Sequence, residues 1–151
     1  MAKLNIVKFG DPTLRKVARP VTEITPRVVT LIDDMIETMR AAGGCGLAAP
    51  QVGILRRIAV IEIEDGTVYE LINPKIVAYA GEQRESEGCL SNPGAYGITK
   101  RPKAVTVRAT DRHGNEYELR GTDLLARAIC HECDHLDGKL YTDVQIKAIE
   151  E

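Results

Sequence analysis

The chain has 151 residues, 44% hydrophobic and 28% charged, the size and balance of one globular domain spanning 1–151. Its formal net charge is −2 with both signs interspersed, so no basic footprint for nucleic acid is present. No apolar run approaches the roughly 18 residues that span a bilayer, and the start "MAKLNIVKFGDPTLRK" lacks the apolar core of a secretory signal.

A cytoplasmic location follows as the expectation, with Cys45, Cys89, Cys130 and Cys133 as thiols or metal ligands rather than disulfides. In chain order, "GDPTLRK" reads as a turn followed by one helical turn. "TPRVVTLIDDMIETMRAAGG" is the first clear helix: Val28, Leu31, Ile32, Met35, Met39 and Ala42 recur at helical spacing, Pro26 suits its start and Gly43 its end. "GCGLAAPQVG" reads as a small-residue loop. "RRIAVIEIEDGTVYELIN" reads as two β-runs about an Asp65-Gly66 turn, and "PKIVAYAG" as a third apolar run. "EQRESEGCLSNPGAYGITKRP" reads as loop, with an apolar island at Cys89-Leu90. "KAVTVRATDRHGNEYELRG" is a second hairpin turning at 113–115, where His113 is expected in solvent. "TDLLARAICHECDHLDG" is the second helix, with Thr122 as N-cap and Gly138 as stop. The tail from Lys139 is short and mixed. The class is α+β, antiparallel sheet with two helices far apart in sequence.

The second helix concentrates the chemistry. At about 100° per residue, His131 and His135 share one face one turn apart, Glu132 and Asp134 flank their midpoint on opposite sides, and Cys130 and Cys133 point away. The cysteine pair therefore cannot join the imidazoles on a zinc-knuckle ion, and no second ligand pair at matched spacing exists; small buried hydrophobes is the better reading. His-Glu-x-x-His suits a metal ion whose water the glutamate reaches. The stripe Leu124, Ala128, His131, His135 continues an apolar face, where an unpaired imidazole is costly. A catalytic ion needs a third ligand from elsewhere. Cys89 in "EGCLS" is the best candidate, because thiolates bind borderline metals well; its alternative is a buried structural cysteine.

Three segments, "GCGLAAPQ" (44–51), "EGCLS" (87–91) and "HECDH" (131–135), together resemble the peptide deformylase family. The resemblance runs over nearly the whole chain and implies that family's α+β fold, antiparallel sheets around a central helix carrying the histidines. It implies Cys89, His131 and His135 as metal ligands. It makes Glu132 general base and then acid, with the Gln51 side-chain amide and the Leu90 backbone N–H donating to the oxyanion. Gly46 meets the substrate main chain. Cys45, Glu87, Tyr96 and Arg127 fall in or beside the substrate-binding region, and Arg101 is expected to pair with Asp134 or Glu87. The implied ion is Fe(II), with zinc or another divalent ion also suited to the site. The implied substrates are N-formyl-methionyl nascent chains in a bacterial or organellar cytoplasm.

The sequence departs from that family's pattern in places. Cys130 stands where glutamine usually precedes the first histidine. The tail ends "KAIEE", without the longer basic helix by which some members dock on the ribosome, so ribosome association by that route is not expected. Arg127 and Glu85 replace usually aliphatic residues of the methionine pocket. A charge there is expensive unless paired, so three fates stand open: Arg127 pairs with Glu85, meets a polar group on the substrate, or snorkels outward along its stem. The first two would make the accepted formyl substrate more polar. Two rival functions are weighed. A metalloprotease would take a ligand downstream of His135, where only Asp137, Asp143, Glu150 and Glu151 are offered. A non-catalytic binding module would have lost Glu132, Gln51 or a ligand.

Overall fold

A computed structural model describes residues 2–63 and 66–149. The chain runs through α1 (Pro26–Ala41), β1 (Gly46–Ala48), β2 (Ile58–Glu62), β3 (Val68–Ala80), β4 (Gln83–Glu87), β5 (Tyr96–Arg101), β6 (Ala104–Thr110), β7 (Glu116–Thr122), α2 (Asp123–Leu136) and β8 (Gln145–Ile149). Short 3-10 turns occupy Pro12–Arg15, Ala49–Val52 and Tyr141–Asp143. Five strands form one sheet in the order β1-β2-β3-β6-β7, and β4-β5-β8 form another. Every pairing between these strands is antiparallel among the described residues.

Helix α1 begins as its sequence dictates: the Thr25 side chain accepts from the Val28 amide at 3.3 Å, and Pro26 opens the first turn. It ends where the amides of Gly43 and Gly44 fold back onto the Arg40 and Met39 carbonyls. Its Ile32, Met35, Ile36 and Met39 pack on Leu47, Ile58, Val60 and Ile72. Helix α2 covers the opposite side of that sheet, where Ala126, Ile129, Cys133 and Leu136 meet Ala59, Ile61, Leu71 and Val107. Strand β2 therefore buries alternate residues against different helices. That is why "IAVI" reads as a continuous apolar run. Each fully buried Ile or Val contributes about 1.5–3 kcal/mol.

Several expectations need correction. "PKIVAYAG" is no separate strand but the continuation of β3, which carries register shifts around residues 72–78. Asp65 of the expected turn lies outside the described residues; β2 and β3 on either side pair as read. The expected loop at 82–102 contains the β4-β5 hairpin, and the small-residue loop contains β1 and a 3-10 turn. The mixed tail supplies β8. Thr122 stands at the N-cap position of α2 and makes no capping bond from its hydroxyl. Gly138 ends α2 as expected: at φ 73 its own amide and that of Lys139 close on the His135 and Asp134 carbonyls.

Candidate metal centre and active site

His131 and His135 sit one turn apart in the middle of α2, both buried. Their rings are 4.8 Å apart by centroid and inclined edge-on at 65°, with the Nε2 atoms at 3.2 Å. Cys89 follows β4 in the turn toward β5, and its Sγ lies 3.3 Å from His135 Nε2. The three potential ligand atoms all fall within 4.8 Å of one another. Two imidazole lone pairs and a thiolate crowded together repel one another unless a cation sits among them. This donor set, one sulfur and two nitrogens, fits a divalent transition ion with an open position.

The groups behind the rings reinforce that fit. Glu87 Oε2 lies 2.5 Å from His131 Nδ1. A carboxylate there holds the proton on Nδ1 and leaves Nε2 with its lone pair. Glu87 is fixed in turn by Arg101, whose Nη2 and Nε donate at 2.7 and 3.2 Å, and by the Thr99 hydroxyl at 2.8 Å. Arg101 Nη1 also donates to Asp134 at 2.6 Å. Burial alone would raise the pKa of Glu87; the bonds from His131 and Arg101 outweigh it and hold the carboxyl at about 2. Burial and the neighbouring His131 push His135 well below the ordinary imidazole range.

Glu132 turns from the helix into the cleft. It is buried, its Oε1 has no hydrogen-bond partner among the described residues, and burial pushes its pKa up to about 7. Its other oxygen lies against Gly46: a Cβ there would come within 2.5 Å of Oε2, so any larger residue would have to push the carboxylate aside. Gln51 is held rigidly, its Oε1 accepting from the Ala48 amide at 2.9 Å. Its Nε2 donates one hydrogen to Ser91 Oγ at 3.1 Å and turns the other towards Cys89 Sγ at 3.5 Å.

These groups line a cleft of about 460 Å³ between the free edge of β1, the turn after β4, and α2. Leu90, half-buried, packs on the α1 side, and Cys45 is exposed on the cleft wall beside Gly46. Tyr96 edges the mouth with 45% of its surface exposed. Glu87 touches the cleft, but both of its oxygens are engaged by His131, Arg101 and Thr99, so it positions a ring rather than greeting substrate. Of the three fates open to Arg127, pairing with Glu85 is not formed among the described residues: Glu85 is exposed, and Arg127 Nη1 donates to Gln83 Oε1 at 2.7 Å. Arg101 takes both of its expected partners. Cys130 and Cys133 are buried thiols in the core under α2, and burial pushes the Cys130 thiol up to about 11. His113 is exposed. Asp137, offered as a protease-type ligand, pairs with Arg57 at 2.9 Å.

Sequence reasoning missed Ser91, Thr99, Gln83 and Tyr141. Tyr141 is buried, with its ring stacked 6.2 Å from that of His131 and its hydroxyl accepting from Asn92. A signal existed for two of them. In "QRESE" and "YGITKR" the buried positions are polar apart from Gly97: Gln83 and Glu87 at the two ends of one strand, Thr99 and Arg101 on the other.

A family model described as polypeptide deformylase matches residues 3–150. The chain is 55% identical over 150 residues to the peptide deformylase of Caldanaerobacter subterraneus subsp. tengcongensis, covering 99% of this chain and 94% of that protein. Its fold matches the crystal structure of a peptide deformylase from Legionella pneumophila with a TM-score of 0.92 at 45% identity, over 95% of this chain and 86% of that one. It also matches the peptide deformylase of Synechococcus elongatus in complex with actinonin, with a TM-score of 0.92 at 41% identity, over 96% and 82% of the two chains. Similarity of this depth, in sequence and in three dimensions and over almost every residue, makes the chain a member of the peptide deformylase family.

Proposed function

We propose that this chain is a metal-dependent hydrolase that removes the N-formyl group from N-formyl-methionyl nascent peptides, releasing formate and a free N-terminus. The observation that carries the reading is the convergence of Cys89, His131 and His135 beside an unpartnered, buried Glu132 at a cleft. Family membership supplies the reaction class. Match of the family model to residues 3–150 supports a single catalytic domain over 1–151.

Cys89, His131 and His135 would hold the ion, Fe(II) by the family resemblance, with zinc or another divalent ion also suited to one thiolate and two imidazoles. Such an ion, when bound, would supply Lewis acidity to the formyl oxygen and to the attacking water. The chain's own residues do the rest. The free edge of β1 at Gly46 pairs with the extended main chain of the peptide and lays the formyl group beside Glu132. Gln51 Nε2 and the Leu90 N–H donate to the formyl oxygen as it gains charge. Glu132 takes a proton from the attacking water while the oxygen–carbon bond forms. It then passes that proton to the amide nitrogen as the carbon–nitrogen bond breaks. Glu87 and Arg101 keep the His131 ring in orientation. Cys45 and Tyr96 line the path of the peptide. A cytoplasmic setting, where nascent chains are made, is the proposed location; no helix among the described residues is long and apolar enough to cross a membrane.

The test is formate release from formyl-Met-Ala-Ser by the anaerobically loaded protein, set against cleavage of internal peptide bonds. Formate is expected without internal cleavage, and Glu132→Gln is expected to lower kcat by about 10²–10⁴-fold while the ion stays bound. Internal cleavage without formate would identify a protease instead.

A further inference from the structure

We propose that Arg127 is a specificity-determining residue that recognises a carboxylate on the formylated substrate; this inference rests on the function proposed above. Among the described residues lining the cleft, Arg127 is the one lysine or arginine. It enters no ion pair among the described residues. The neighbouring carboxylates leave it unpaired among the described residues: Asp123, one turn earlier on α2, bonds Lys103 Nζ at 2.5 Å, Glu87 is held by Arg101 and His131, and Glu85 is exposed and makes no ion pair with it.

The guanidinium is nevertheless held in place. Its Nη1 donates to Gln83 Oε1, and Gln83 is a buried amide whose Nε2 donates to the Pro102 and Asp123 carbonyls at 2.9 and 3.0 Å. Both hydrogens of that amide are spent on backbone, so its oxygen can only accept, and it accepts from Arg127. A neutral oxygen fixes the head group without cancelling its charge. The remaining N–H groups of the fork stay available to an acceptor entering the cleft. A half-buried cation without a counter-ion is costly, and a substrate carboxylate would relieve that cost.

The placement also separates this feature from the reacting centre. Gln83 and Glu87 lie at opposite ends of β4, about 13 Å apart at the rise of an extended strand. Glu87 belongs to the ligand end and Arg127 to the other. The carboxylate bound there is carried by the peptide downstream of the formyl carbon, on a side chain or at the terminus, and not by the formyl group.

The experiment measures kcat/KM for formate release from amidated formyl tripeptides carrying Glu or Gln in turn at the first, second and third positions. A further arm compares a free C-terminal carboxylate with its amide. At low salt the wild type is expected to prefer the acid over its neutral isostere about three- to tenfold in at least one arm. That preference should shrink in high salt. R127M, which keeps the apolar stem, should bring the ratio to one, and R127K should retain part of it; R127Q serves in place of R127M if that variant does not fold. A role confined to bracing the cleft wall through Gln83 would lower all rates together and leave the ratios unchanged. Ratios at or below one in every arm, with formate still released from the neutral peptides, overturn this inference alone, as does a preference that survives in R127M. Absence of formate from every peptide overturns the proposed function and this inference with it.

Discussion

Gly46 shows how closely single residues constrain the site. Its Cα hydrogens face the Glu132 carboxylate, and one added methyl would lie 2.5 Å from Oε2. The carboxylate is the group proposed to move the proton, so Gly46→Ala is expected to displace it and lower kcat by about 10²-fold or more. Metal content should be unaffected, since the three heavy atoms nearest the added Cβ all belong to Glu132 and none to a ligand. Steady-state kinetics beside metal analysis checks this; unchanged kcat in the folded variant would remove Glu132 from its assigned place. At this scale the sequence was most legible for α2. The i, i+4 spacing alone placed both imidazoles on one face, and the structure brings their Nε2 atoms to 3.2 Å. The partner at Cys89 needed resemblance as well as chemistry, because no local period links residues 89 and 131. The fate of Arg127 stayed open among three possibilities because helical spacing tells which face a side chain leaves from, not where a long stem ends; the structure ends it on Gln83.

Among the elements, the β4-β5 hairpin was the least legible and matters most to the metal centre. Hydrophobic alternation finds strands whose inward residues are apolar. Here the buried side chains beside Gly97 are those of Gln83, Glu87, Thr99 and Arg101, each satisfied by another polar group. Polar residues can face inward because the pairing is complete, and its product is a carboxylate held behind His131. Arg101→Met should therefore act twice. It leaves Glu87 and Asp134 without their cation, which for a buried pair costs about 3–5 kcal/mol of stability, read in urea unfolding. It also releases Glu87 from its fixed orientation, and metal affinity should fall about 10–100-fold, as for loss of other groups that hold a ligand ring. Stability lost with metal affinity unchanged would show that Arg101 serves the fold alone.

Over the whole molecule, the five-stranded sheet between α1 and α2 was legible in outline: two amphipathic helices, β-runs joined by hairpins, and no repeat. Sheet membership was not, since β8 completes the β4-β5 sheet from the far end of the chain and pairs with Tyr96–Thr99 across nearly 50 residues. This architecture brings three distant segments to one place. The strand–turn at 46–51 supplies Gln51, the turn after β4 supplies Cys89, and α2 supplies both imidazoles and Glu132. The proposed chemistry depends on those segments closing around one divalent ion. X-ray absorption at the metal edge of anaerobically loaded protein tests this most directly. The predicted environment is one sulfur and two imidazole nitrogens, with the sulfur lost in Cys89→Ser; an ion with no sulfur neighbour in the wild-type protein would contradict it.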